Sequence, residues 1–374
     1  MFHGIIGLIG IFLVFRFVLP LKRTFRWKVS ASTLLLIFSQ QHLVNRLFFG
    51  TLASPELPTV ILVIQGAMFS TFFLLAVFVL LRDFFALISR LAYKPENPFS
   101  ASGRLAFGLF MTAVALSVIG VQQAIRVPDV RSVQISLKDL PTELDGFRIA
   151  QVTDIHASSL FRGDWVKAVV DKTNALAPDL ILLTGDLIDG TSDKRAFDVE
   201  PFRNFRAKYG VFGTTGNHEY YSEFQDWMNV FQSLGLHMLL NQHVVIYHND
   251  VPLVIAGTTD RASLRFGLQP PDIKAALMDA PKEATTILME HQPGNARENA
   301  VAGVNLQLSG HTHGGQIIGL RVVSQYVNNG FISGLYDVNG MSLYISNGAG
   351  LWNGFPVRLG CPSEITEIVL RKAS

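Results

Sequence analysis

Four long apolar segments crowd the first 125 residues of this chain: Gly4 to Leu19, Val29 to Phe49, Pro58 to Leu81 and Leu105 to Gln123. Each is near the roughly 20 residues that an α-helix needs to cross the hydrocarbon of a bilayer. The stretch therefore predicts an all-α transmembrane bundle, physically distinct from whatever follows it. The hydrophobic share of 49% and the charged share of only 16% arise largely here. A cleavable leader is not expected, because the apolar pattern continues through further segments and no small-residue cleavage site follows Leu19.

The second segment is the ambiguous one. Gln40, Gln41, His42, Asn45 and Arg46 make it partly polar, so a buried or interfacial helix is the other reading. Charge placement favours a span. Lys22, Arg23, Arg26 and Lys28 precede it, Arg82, Arg90, Lys94 and Arg104 precede the fourth segment, and the loop 50–57 carries no Lys or Arg. Four spans put both basic clusters in the cytoplasm, whereas three put one of them outside, against the positive-inside rule. The expected topology thus leaves both termini outside. It sets the remainder of the chain on the outer face of the membrane. Pro128 discourages continuation of the last helix, so the expected domains are a transmembrane unit over 1–125, a linker over 126–133 and a second domain over 134–374.

That second domain repeats one arrangement, an apolar run that ends in a polar motif. Phe147 to Thr153 runs into Asp154-Ile155-His156, and Leu180 to Thr184 runs into Gly185-Asp186-Leu187-Ile188-Asp189. Val211 to Thr215 runs into Gly216-Asn217-His218-Glu219, Thr285 to Glu290 into His291, and the series closes on Gly310-His311-Thr312-His313-Gly314-Gly315. Short apolar runs bounded by turn residues read as buried strands. The intervening Trp165 to Leu176 and Phe224 to Leu234 carry helical apolar spacing. Alternating strands and helices predict an α/β fold, in which ligands gather at the carboxyl ends of the strands.

The residue types point to metal chemistry. Two divalent ions about 3.5–4 Å apart need a set of N and O ligands with a shared carboxylate to offset their repulsion. A zinc-thiolate centre is excluded because the chain has one cysteine, Cys361, which reads as a buried thiol. Asp-x-His alone is a common pattern. Gly-Asn-His-Glu and Gly-His-Thr-His each arise by chance in about one chain in several hundred, and both in order after Gly-Asp make coincidence a poor account.

On these motifs, residues from about 132 to 372 resemble the calcineurin-like metallophosphoesterase superfamily, and more narrowly its bacterial membrane-associated or exported members. The resemblance covers about two thirds of the chain. It implies a four-layer αββα sandwich with two metal ions, Mn²⁺, Zn²⁺ or Fe²⁺, above the strand ends. By that resemblance one ion is held by Asp154, His156, Asp186 and His313, and the other by Asp186 as the bridge with Asn217, His291 and His311. His218 matches the family's histidine that is not a metal ligand and is the candidate for stabilising or protonating the leaving oxygen. Asp189 has two readings, a hydrogen-bond acceptor that keeps His218 cationic or a helix or turn cap. Glu219 is read as supporting structure.

The implied reaction is hydrolysis of a phosphate ester, monoester or diester, by a hydroxide activated between two cations, whose binding lowers the pKa of water from about 15.7 towards 7. Tethering to a bilayer suggests an envelope or lipid-linked substrate. Two alternatives stand beside it: a membrane transport or partner-binding module regulated by its phosphoesterase domain, and a pyrophosphatase of a nucleotide-linked lipid A precursor, which the expected topology would keep from its substrate. A formal charge of +2 provides no basic field, so nucleic acid is not an expected partner. Nothing in the sequence specifies an oligomeric state. Gly185, Gly216, Gly310, Gly314 and Gly315 read as positions of positive φ or of close approach to phosphate. Arg358 is either a bidentate phosphate contact or a surface salt bridge. His3, His42, His237, His243 and His248 fit no ligand spacing.

Overall fold

A computed structural model of the chain describes residues 2–51, 54–93 and 102–373. Lys94, used above for the topology, lies outside them, as do two residues of the 50–57 loop. The chain divides into two compact units, Met1–Gln122 with Asn353–Val357, and Gln123–Trp352 with Arg358–Ser374.

The first unit is helical. Helix α1 (Phe2–Leu13) runs on into a π-helical turn, Val14–Val18. The second apolar segment is two helices, α2 (Phe25–Ser39) and α3 (Gln41–Phe49), divided at Gln40. The division falls where the sequence turns polar, and Ser39 turns its hydroxyl back on the Leu36 carbonyl at 2.7 Å, a bond that competes with the helical ladder. Neither piece alone reaches bilayer length. Among the described residues, helices α4 (Thr59–Tyr93) and α5 (Gly103–Ile125) are long and apolar enough to cross a membrane, with mean hydropathies of 2.3 over Thr59–Leu91 and 2.0 over Gly103–Ile125. Helix α4 outruns the expected end at Leu81 because Arg82 and Asp83 find partners. Arg82 Nη2 donates to Arg16 O (2.8 Å), and Arg16 Nε donates to Asp83 Oδ2 (2.7 Å). The segment 353–357 packs as part of this unit. Gly354 O lies 2.6 Å from His42 Nε2, and the Phe355 ring is 5.5 Å from that of Phe69.

The second unit holds two six-stranded sheets. The first is ordered β1 (Asp129–Leu137), β12 (Glu364–Lys372), β2 (Arg148–Val152), β3 (Leu180–Thr184), β4 (Val211–Thr214), β5 (His237–Met238). The second is ordered β10 (Gly334–Val338), β11 (Met341–Ile345), β9 (Leu306–Ser309), β8 (Thr285–Met289), β7 (Val251–Gly257), β6 (Gln242–His248). Strands β2 to β5 are mutually parallel, as are β7, β8, β9 and β11. Strand β1 pairs with β12 from Asp129 onward. Only three residues, Arg126 to Pro128, therefore separate it from α5, fewer than the expected linker over 126–133; the exposed first half of β1 carries little apolar signal.

The sheets pack face to face through Ile149, Leu180, Leu182 and Phe212 on one side and Ile255, Ile287, Met289 and Leu308 on the other, all buried. Alternate residues turn outward, so Ile181 and Leu183 meet α6 (Gly163–Asn174) through Val166 and Val170, and α7 (Phe224–Ser233) through Trp227. A third cluster covers the outer face of the second sheet. These are the four αββα layers expected. Fully buried strands read as unbroken apolar runs, which is why β3 coincides with its expected bounds.

Candidate metal centre

The parallel pairing gathers the motifs. Asp154 lies two residues past β2, Asp186 two past β3, Asn217 three past β4, His291 two past β8 and His311 two past β9. All five follow the carboxyl ends of strands that run the same way within their sheet, so their loops meet on one edge. Asp154, His156, Asp186, His311 and His313 all take positive φ, between 49° and 69°. That left-handed conformation costs a non-glycine residue free energy and concentrates at functional sites. The strain is held by named bonds. The Glu219 carboxylate accepts from the N–H groups of Asp186 (3.0 Å), Leu187 (2.6 Å) and Gly216 (2.6 Å), tying the ends of β3 and β4 together.

Two glycines leave room for carboxylates rather than for phosphate. A Cβ on Gly216 would stand 2.2 Å from Asp186 Oδ1, and one on Gly310 would stand 2.2 Å from Asp154 Oδ2. Asp154 in turn accepts from the His311 N–H through both oxygens at 3.1 Å.

Three groups of side chains come within ligand distance of a common point: Asp154, His156 and His313; Asp186, His291 and His311; and His156, Asp189 and His218. His291 Nε2 is 3.0 Å from Asp186 Oδ2, His313 Nε2 is 3.5 Å from Asp154 Oδ1, and His156 Nε2 is 3.7 Å from Asp186 Oδ2. Among the described residues, the buried atoms His156 Nε2, Asn217 Oδ1 and His313 Nδ1 have no hydrogen-bond partner. A buried polar atom without a partner costs about 1–3 kcal/mol, so this set fits a bound cation. Burial, followed by the neighbouring His291, presses the His311 imidazole down to about 3, and burial with His156 holds His313 well below its ordinary range. Neutral imidazole is the ligating form. Burial raises the Asp154 carboxyl; it opposes the ionised Asp186 too, but His291 and His218 outweigh it and hold Asp186 well below the usual range.

Asp189 Oδ1 accepts a short hydrogen bond from His218 Nδ1, and its Oδ2 is 3.2 Å from His156 Nδ1. Burial alone would lower the His218 imidazole, but Asp189 and then Asp186 outweigh it and bring it up to about 9. Arg358 fits neither of its two readings. It is fully buried, and its guanidinium donates to the carbonyls of Asn347 (2.7 Å), Gly350 (2.9 Å) and Cys361 (3.1 Å). It clasps the closing loop instead of meeting phosphate or solvent. Cys361 is buried as expected.

Sequence reading missed the polar layer beneath the site. Gln151 Nε2 donates to Thr184 Oγ1 (2.9 Å) and to Ser309 O (3.0 Å), joining the two sheets beneath the candidate ligand loops. Glu290 accepts from Asn295 (2.7 Å) and from Asn299. A polar residue among the buried positions of a strand, as Gln151 is in β2, was the available signal.

Fold and loop edge together define a metal-dependent phosphoesterase. The family model for calcineurin-like phosphoesterases matches residues 147–315, a span that holds all nine candidate site residues. A metallophosphoesterase of Campylobacter jejuni is 30% identical over 91% of this chain and 86% of its own length. A zebrafish (Danio rerio) "transmembrane protein with metallophosphoesterase domain" is 32% identical over 80% of this chain and 70% of its own. Its counterpart of the same name in cattle (Bos taurus) is 34% identical over 70% and 62%. The chain belongs to the calcineurin-like metallophosphoesterase family. Its relatives include bacterial and animal proteins, a wider set than the bacterial grouping expected from the motifs.

Proposed function

We propose that this protein is a membrane-anchored hydrolase of phosphate esters whose two metal ions are held at the edge described above. Asp154, His156, Asp186 and His313 would hold one ion, and Asp186, Asn217, His291 and His311 the other. The observation that carries the assignment is the separate convergence of Asp154, His156 and His313, and of Asp186, His291 and His311. When bound, such ions neutralise phosphoryl charge and activate water at neutral pH. Mn²⁺, Zn²⁺ and Fe²⁺ all suit a nitrogen and oxygen donor set.

The chain's own residues supply the rest. His218, with its Nδ1–H fixed on Asp189, turns Nε2 towards Asp186, 4.0 Å from Oδ2. There it serves as the proton donor to the departing alkoxide, with Asp189 as the group that orients and charges it. Glu219 and Gln151 keep the loops in register. The apolar helices α4 and α5 support membrane anchoring, and an envelope or lipid-linked phosphate ester is the substrate class that anchoring favours. Basic residues before α2 and before α5 favour an outer-face catalytic unit in a bacterial inner membrane, with the broken α2–α3 pair completing one crossing. The catalytic unit is proposed to begin at β1.

The test uses the full-length protein in mild detergent, stripped of metal and titrated with Mn²⁺, Zn²⁺, Mg²⁺ and Fe²⁺ against paired aryl monoester and diester phosphates. Metal-dependent turnover that disappears in Asp186→Ala supports the reading. A folded protein with no turnover under any metal would overturn it.

A further inference from the structure

The helical unit contains a cavity of about 580 Å³ that the phosphoesterase reaction does not use. Its volume lies within the range of small-ligand sites, about 300–1,000 Å³. One wall is a single face of α2, with Trp27, Ala31 and Leu35 at successive helical turns. A second wall is a single face of α5, where Gly103, Ala106, Phe107 and Phe110 follow the i, i+3, i+4, i+7 pattern. From Trp27 to Leu35 the wall extends about 12 Å at 1.5 Å per residue. Small residues create the space, because Ala31, Gly103 and Ala106 stand where larger side chains would fill it.

One end is different. Lys22 and Arg23 line the cavity there, and among the described residues none that lines it is acidic. Among the described residues neither forms an ion pair, and the Arg23 guanidinium lies over the Trp27 ring at 5.9 Å from its centroid. Phe17 and Val18, from the π-helical turn, complete that end; such turns recur at functional sites. A long apolar slot with two unpaired cations and an aromatic ring at one end is complementary to an amphiphile with an anionic head. Basic pockets between membrane helices bind phospholipid head groups on these terms.

We propose that this cavity binds one molecule of an anionic phospholipid, its phosphate on Lys22 and Arg23 and an acyl chain between α2 and α5. The proposal rests on the bilayer reading of the helical unit, which carbonate extraction of membranes tests by itself: release into the supernatant would remove that reading whatever the lipid result. If Lys22 and Arg23 only set topology, they would give no selectivity among lipid head groups in detergent.

The deciding experiment is native mass spectrometry and lipid titration of the full-length protein in mild detergent with EDTA present, so that the phosphoesterase edge holds no metal. The probes are dioleoylphosphatidylglycerol and dioleoylphosphatidylcholine. One phosphatidylglycerol is expected per chain, held at least tenfold more tightly than phosphatidylcholine. The double variant Lys22→Gln, Arg23→Gln should abolish that preference, and Arg90→Gln, outside the cavity, should preserve it. Ala31→Phe, which fills the slot, should weaken both lipids. Equal binding of the two lipids by the parent protein, or a preference that survives the double variant, would overturn the proposal. Inorganic phosphate bound as tightly as the lipid would do so too, since it would show that the apolar slot contributes nothing.

Discussion

His218 and Asp189 are joined ring to carboxylate, and the backbone N–H of His218 also donates to Asp186 Oδ1 at 2.8 Å. The imidazole is thereby fixed in tautomer and direction by one carboxylate and in position by another. Removing the ring in His218→Ala should lower kcat by about 10²–10⁴, the usual contribution of a positioned acid. The loss should be largest for esters with poor leaving groups and small for nitrophenyl esters, whose leaving oxygen needs no proton. Asp189→Asn should lower kcat less than His218→Ala and leave KM nearly unchanged. Combining the two should add little to His218→Ala alone, because residues that act as a unit are not additive. Steady-state kinetics across aryl phosphates of graded leaving-group pKa check all three statements.

Gly310→Ala tests the close approach at Asp154. The new methyl would stand 2.2 Å from Asp154 Oδ2, with Thr153 Oγ1 at 2.4 Å, in a fully buried setting. The carboxylate must move, and overpacking of this kind costs about 1–3 kcal/mol. The expected result is a loss of at least tenfold in activity together with a lowered metal content, measured by elemental analysis after desalting. An unchanged metal content with full activity would show that Asp154 does not act from its present position.

Much of this edge was legible in the sequence, and the reason is physical. Buried strands are short apolar runs, so a polar residue two or three positions past one stands out. Asp154, Asp186, Asn217, His291 and His311 are all of that kind. Asp189 was half legible, since its three-residue spacing from Asp186 suits both a cap and a partner for His218. Arg358 was not legible. Its acceptors come from 347–350 and 361, with His313 O a further contact at 3.4 Å, and only the folded chain brings them around one guanidinium. The break at Gln40 was visible as polarity in the second apolar segment, but polarity alone does not say whether a helix tilts, buries its polar side or divides.

Arg358→Met follows from that burial. The variant keeps the length of the side chain but leaves the Asn347, Gly350 and Cys361 carbonyls without their donor. Each buried unpaired group costs about 1–3 kcal/mol, so the closing loop should loosen and thermal stability should fall by several kcal/mol in total. If Arg358 were a phosphate contact instead, the main effect would be on KM with stability unchanged. Thermal melts of the purified variant beside its KM for an aryl phosphate separate the two outcomes.

Metal removal should also be felt as stability, in a way that names the site. Asp154 and Asp186 are buried close to Asp189 and Glu219, and the neighbouring imidazoles of His156, His218 and His291 offset part of their charge. A cation bound there at a hundredfold above its Kd adds about 2.7 kcal/mol to the folded state. For a domain of this size that corresponds to roughly 5–10 °C in melting temperature. Chelation should therefore lower the melting temperature of the parent protein by about that much, and added Mn²⁺ or Zn²⁺ should restore it. In His291→Ala the midpoint should respond less to added metal, because one ligand of the second ion is gone. In Arg90→Gln, a change in the helical unit, the full response should remain. A parent protein whose melt ignores both chelator and metal would contradict the two-ion assignment independently of any activity assay.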